Sequence, residues 1–76
     1  MNNKKRTLLK DVQSLLSKSM EKLSLVLEDE ENCLDNIPEN LQDSDNYERM
    51  EEAIGRLESA IESIESAQDD INEASL

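Results

Sequence analysis

Ile37-Pro38-Glu39-Asn40-Leu41-Gln42-Asp43-Ser44-Asp45 separates two long stretches of helical periodicity, and its reading decides the fold. Pro38 has no backbone N–H to donate, and its ring disfavours an α conformation at Ile37, so a helix arriving from the N-terminal side ends here. The residues that follow are polar except Leu41 and read as a short connector. Asp45, with Glu48 three residues on, makes a capping-box-like start for the next helix, whose positive N-terminal end also gathers Glu51 and Glu52. The chain therefore divides into a first helix over about 5–36, a connector over 37–44 and a second helix over about 45–75.

Upstream of the break, Leu9, Val12, Leu16, Leu23, Val26, Cys33 and Ile37 recur at three- and four-residue steps, interrupted by Ser19 and Glu30. That is a heptad seam. Leu8 and Leu15 flank it on one side, and Met20, Leu27 and Leu34 on the other, so the stripe is wider than one neighbour can cover. Downstream, EEAIGRL, ESAIESI and ESAQDDI repeat in sevens. The repeat lines up Met50, Ile54, Leu57, Ile61, Ile64, Gln68 and Ile71, with Ala53, Ala60, Ala67 and Ala74 as a column beside them. Alanine has no bulk beyond Cβ, so a neighbouring backbone comes close there. Gln68 either fixes the register or marks fraying.

Two helices of matched length joined by a short connector run antiparallel. The expected fold is all-α: an antiparallel two-helix coiled-coil hairpin. A hairpin alone would leave Leu8, Leu15, Met20, Leu27 and Leu34 as an apolar strip in water, so two copies are expected to meet through the first helix as a homodimeric four-helix bundle. A foreign helix would cover the same strip.

Composition agrees with a single helical unit. The chain has 76 residues, with one Gly, one Pro and Tyr47 as its sole aromatic, which argues against a sheet. Its single cysteine forms no internal disulfide framework, no apolar run reaches the length of a signal sequence or a bilayer span, and the expected place is the cytoplasm. Charge is the loudest feature: 19 acidic residues against 8 basic ones, net -11. Residues 1–24 hold Lys4, Lys5, Arg6, Lys10, Lys18 and Lys22 against Asp11 and Glu21, whereas everything after Leu25 is acidic apart from Arg49 and Arg56. Such a field repels nucleic acid and anionic lipid, leaving basic protein surfaces as the expected partners. In the hairpin, Glu28, Asp29, Glu30, Glu31, Asp43, Asp45, Glu48, Glu51 and Glu52 crowd the turn end as an acidic tip.

No constellation carries catalysis. The chain has no His, hence no Ser/His or Cys/His pair, and no Gly-rich phosphate loop. A calcium loop beginning at Asp43 fails because Glu48 stands where glycine is required and Ile54 where the bidentate acid belongs. Di-iron bundles need histidine ligands. Glu28/Glu31 and Glu62/Glu65 echo the magnesium-holding pairs of all-α nucleotide pyrophosphatases, but acidic pairs three apart arise by default on solvated faces of so acidic a chain. No catalytic, cofactor or metal residue is assigned. Cys33 is read as a small buried thiol of the seam, and Tyr47 as packing on Leu41 or Ile37 to pin the connector.

The run Ile37-Pro38-Glu39-Asn40-Leu41-Gln42, followed by Tyr47-x-x-Met50-Glu51-x-Ala53-Ile54, resembles small, uncharacterised, acidic helical-hairpin proteins of bacterial and phage genomes, over the connector and second helix. The resemblance implies an accessory protein of a mobile element and no established activity. Two functions are expected from residues and resemblance together. One is an acidic, non-enzymatic binding module, a phage-type inhibitor that occupies a basic surface of a host protein by mimicking nucleic acid. The other is a self-assembling coiled-coil protein whose role is oligomerisation.

Overall fold

A computed structural model describes residues 1–76 as helix α1 (Asn3–Asp35), a single 3₁₀ turn (Glu39–Leu41) and helix α2 (Asp45–Ala74), with α1 and α2 packed side by side. The fold is the all-helical antiparallel hairpin. Each helix starts on a side-chain cap: the Asn2 carboxamide oxygen accepts from Lys5 N–H at 2.9 Å, and the Ser44 hydroxyl accepts from Tyr47 N–H at 3.2 Å. The cap of α2 is thus Ser44, one residue before the expected Asp45. Asp45 instead lies with Glu48 inside the first turn, where both carboxylates face the positive end of the helix.

Reversal of the chain needs no left-handed residue. Asn36 N–H donates back to Asn32 O at 3.2 Å to close α1, and Ile37 N–H donates to Leu34 O at 3.1 Å. Pro38 then sits extended at φ -58°, ψ 146°. Leu41 N–H donates to Pro38 O at 2.9 Å and Ser44 N–H to Leu41 O at 3.2 Å, so successive turns carry the backbone round. The Gln42 side-chain amide ties back to Ile37 O at 3.4 Å.

Register is set by contacts far apart in sequence. Arg6 Nε donates to Ser75 O at 3.1 Å, and Gln13 Nε2 donates to Gln68 O at 2.9 Å. In both pairs the residue numbers sum to 81, and that relation sets Met20 opposite Ile61, Leu27 opposite Ile54 and Leu34 opposite Tyr47. The half-buried positions of α1 are Arg6, Leu9, Gln13, Leu16, Met20, Leu23, Leu27, Glu30 and Leu34, an unbroken alternation of three- and four-residue steps. Those of α2 follow the same alternation from Tyr47 and Met50 through Ile71, joined by Ala60 and Ala67 beside the seam.

This seam differs from the one expected. Met20, Leu27 and Leu34, expected on the open strip, face α2, and Val12, Val26 and Cys33, expected in the seam, are exposed. Both sets satisfy heptad spacing, one helical position apart. Choosing 13, 20, 27 and 34 buries three long side chains and a glutamine, whereas 12, 19, 26 and 33 would bury two valines, a serine and a thiol. The larger apolar area wins. Tyr47 is likewise half-buried at the level of Leu34, while Leu41 stays 51% exposed.

The rod measures 59 × 15 × 13 Å, with a radius of gyration of 17.4 Å, where a compact chain of this length would have about 11 Å. None of its residues is fully buried. One seam between two helices excludes water from one side of each side chain only.

Candidate protein-binding surfaces

Two surfaces of the rod stand apart from ordinary solvated helix, one by charge and one by apolarity. The first is the turn end. Residues 23–57 form the half of the rod next to the connector and carry eleven acids against Arg49 and Arg56, net -9. The open half, residues 1–22 with 58–76, carries eight acids against six bases, net -2. Antiparallel pairing produces this polarity, because it lays the basic start of α1, with Lys4, Lys5, Lys10, Lys18 and Lys22, alongside the C-terminal half of α2 with its acids Glu58 to Glu73, and leaves the acids around the turn with only Arg49 and Arg56.

Glu28, Asp29, Glu31, Asp43, Asp45, Glu48, Glu51 and Glu52 are all exposed in that half. Glu30 is the exception. It falls on the seam, half-buried, opposite Glu51 and next to Met50 by the register. Its carboxylate interrupts the apolar seam close to the turn, so the tip is held together mainly by Leu27, Leu34, Ile37 and their partners Ile54 and Tyr47.

The second surface follows from which edges of the helices meet. Gln68 Nε2 donates to Ser17 Oγ at 2.9 Å, and Gln13 Nε2 donates to Asn72 Oδ1 at 3.2 Å. Ser24 and Glu65 line the same shallow groove as Ser17. One edge of the hairpin is therefore polar, with positions 17 and 24 of α1 beside 65 and 72 of α2. The opposite edge brings the column of Val12, Ser19, Val26 and Cys33 beside the column of Ala53, Ala60, Ala67 and Ala74. Ala60 and Ala67 are half-buried there, whereas Ala53 and Ala74, towards the ends, are exposed.

Next to Val12 on the outer side of α1 stand Leu8 and Leu15, exposed by 57% and 63%. Val12 and Val26 are exposed by 39% and 50%. The open apolar stripe is thus Leu8, Val12, Leu15 and Val26. Of the five residues expected to drive self-association, Leu8 and Leu15 belong to it, and Met20, Leu27 and Leu34 are already engaged within the hairpin. Sequence reading missed Val12 and Val26 because a heptad shift of one position leaves the spacing rule satisfied, and only the partner helix decides between the two.

The carboxylate pairs weighed for magnesium lie apart. By the register Glu62 stands opposite Ser19, nine residues from Glu28, so the two pairs are separated by roughly 13 Å along the rod. No three acidic or thiol side chains converge as metal ligands. No helix is long and apolar enough to cross a membrane. Compared with protein-family models, curated proteins and solved structures, the chain matches none.

Proposed function

We propose that this chain is a non-enzymatic acidic binding module whose turn half engages a basic surface on another protein. The observation that carries the reading is the polarity along the rod, net -9 in the half next to the turn against -2 in the other. A pole of exposed carboxylates on a narrow rod attracts lysine- and arginine-rich surfaces over distances of the Debye length and repels phosphate backbones. With the resemblance of the connector and second helix to small phage and bacterial proteins, the reading extends to a mobile-element inhibitor that covers the nucleic-acid-binding surface of a host protein in the cytoplasm. Glu48, Glu51 and Glu52, on the first two turns of α2, are the carboxylates best placed to meet it, flanked by Glu28, Asp29 and Glu31 across the hairpin.

A pull-down from host extract tests this. The salt is raised from about 0.1 M, where the Debye length is about 10 Å, to about 1 M, where it is about 3 Å. A basic protein should be retained at the low end, released at the high end, and lost at both when Glu48, Glu51 and Glu52 are changed together to Gln. Retention indifferent to both salt and the three substitutions would end the reading.

A second reading is self-assembly through helix α1, a coiled-coil oligomerisation protein. It is favoured by the absence of any buried residue, since below about 70–80 residues a single core rarely holds a fold without cross-links or partners. Sedimentation across micromolar concentrations tests it, and a strict monomer would remove it.

A further inference from the structure

The open stripe of α1 has a direction as well as a composition, and on the self-assembly reading that direction fixes how two copies meet. Leu8, Val12, Leu15 and Val26 lie on it, with Lys5 continuing it at one end and Asp29 at the other. At 100° per residue the centre of this stripe is about 110° round the helix from the seam that meets α2. Two apolar directions near a right angle suit a helix at the corner of a four-helix bundle, and the alanine column on the same edge lets the second helices close on each other.

We infer that the stripe seats the same stripe of a second copy, antiparallel, about the level of Ser17, so that Leu8 of each copy meets Val26 of the other and Lys5 meets Asp29. Whole-heptad slips are disfavoured by charge. One slip sets Lys5 against Lys22, and the other sets Val12 against Asp29. In the chosen register Val12 lies along Lys22, whose methylene stem covers it while the ammonium reaches water.

The polarity of the rod selects the orientation. A parallel pair would stack two halves of net -9 side by side. The antiparallel pair sends them to opposite ends and lays Lys4, Lys5 and Lys10 of each copy along the start of the other's acidic half. Area agrees with a second copy as the occupant. The chain exposes 5926 Å², where a compact monomer of its mass would expose about 4,700 Å². The excess of about 1,200 Å² belongs to the whole rod, and a second copy covering one side of α1 would remove part of it, within reach of the roughly 800 Å² that each partner buries in an interface of standard size. The assembly is then a two-ended module with an acidic pole at each extremity.

Spin labels on the single native cysteine read the arrangement directly, because Cys33 is exposed. In the antiparallel dimer the two labels lie about 50 Å apart, whereas a parallel pair brings them within about 20 Å. A dimer with the long distance is the expected result. A dimer with the short one overturns this inference while leaving self-assembly standing, and a monomer overturns both, giving the stripe to a foreign helix. Leu15→Glu should abolish the dimer with helicity retained, and Leu25→Glu, at a position 67% exposed outside the stripe, should not. Should Leu15→Glu unfold, the charge exchange decides: Lys5→Glu should weaken the dimer, and adding Asp29→Lys should restore it by more than the sum of the two single effects. Independence of the two would assign the contact elsewhere.

Discussion

Gln13 and Gln68 each reach for the main chain of the other across the hairpin. Gln13 Nε2 donates to Gln68 O at 2.9 Å, and Gln68 Nε2 extends towards Gln13 O at 3.5 Å while donating to Ser17 Oγ at 2.9 Å. The pair occupies the layer between Leu9–Ile71 and Leu16–Ile64, where a heptad slip would part the two glutamines and set Gln13 against Ile61 in one direction or Gln68 against Met20 in the other. It therefore acts as a register pin, as a polar residue does at a single seam position of a coiled coil. The fit is imperfect, because Gln13 Oε1 is shut from solvent without a hydrogen-bond partner.

A double-mutant cycle should expose that role. Gln68→Leu alone removes the donor to Gln13 O and Ser17 Oγ and sets an apolar side chain beside the retained Gln13 amide, which should cost about 1 kcal/mol, whereas Gln13→Leu with Gln68→Leu removes both polar side chains and should be neutral or stabilising by about 1 kcal/mol. Urea unfolding at fixed protein concentration measures both. Additive single effects would show that the two side chains do not act together.

The position of the seam has its own test. Leu27 is half-buried opposite Ile54, whereas its neighbour Val26 is 50% exposed and Leu25 is 67% exposed. Leu27→Ala should cost about 1–2 kcal/mol, less than the roughly 2–5 kcal/mol of a fully buried leucine. Leu25→Ala should change stability by less than about 0.5 kcal/mol. Thermal unfolding of the three alanine variants ranks them, and Val26→Ala is informative in a different way, since its effect should appear only at concentrations where copies associate.

What could be read from residues alone follows from which forces are local. Pro38 acts on its own neighbours, so the break between helices was legible, as was the antiparallel return that a short connector imposes. The second seam was legible too, because α2 offers only one column of large apolar residues and its alternatives are Ala, Ser and Glu. In α1 two adjacent columns are both apolar, Val12 and Val26 in one, Met20, Leu27 and Leu34 in the other. Choosing between them is a tertiary matter, decided by how much surface each buries against α2. The same holds for Gln68, whose partner lies 55 residues away, and for Cys33, which left the seam when the helix turned by one position.

Ser44 supplies the only side-chain oxygen that caps α2. Ser44→Ala should lower stability by about 1 kcal/mol, and Ser44→Asp should retain the cap and add a charge favourable to the helix dipole. A loss with both variants, measured by circular dichroism on heating, would place the role of Ser44 in packing at the connector instead.

Gly55 lies inside α2 on its exposed face, and a Cβ built there meets nothing within 4 Å. Its φ is negative, so no backbone requirement holds a glycine at this position. Gly55→Ala should therefore stabilise the chain by about 0.5–1 kcal/mol through the lower conformational entropy of the unfolded state. Unchanged or reduced stability would point to a close approach at Gly55 in an assembly, because an isolated hairpin leaves that surface open.

Salt separates the two surfaces, since it acts on them with opposite sign. A complex between the acidic turn half and a basic protein is held by attraction across the interface and weakens as ions screen it. Association of two copies brings together two chains of net charge -11, and the attraction of Lys5 for Asp29 is small beside the repulsion summed over the rods. Screening should therefore strengthen self-association while apolar burial at Leu8, Val12, Leu15 and Val26 is unaffected. Sedimentation at low and high salt should show the dimer dissociation constant falling by several-fold or more as ionic strength rises, and binding to the basic partner should move the other way. A self-association that weakens with salt would mean that ion pairs rather than the apolar stripe hold the copies together.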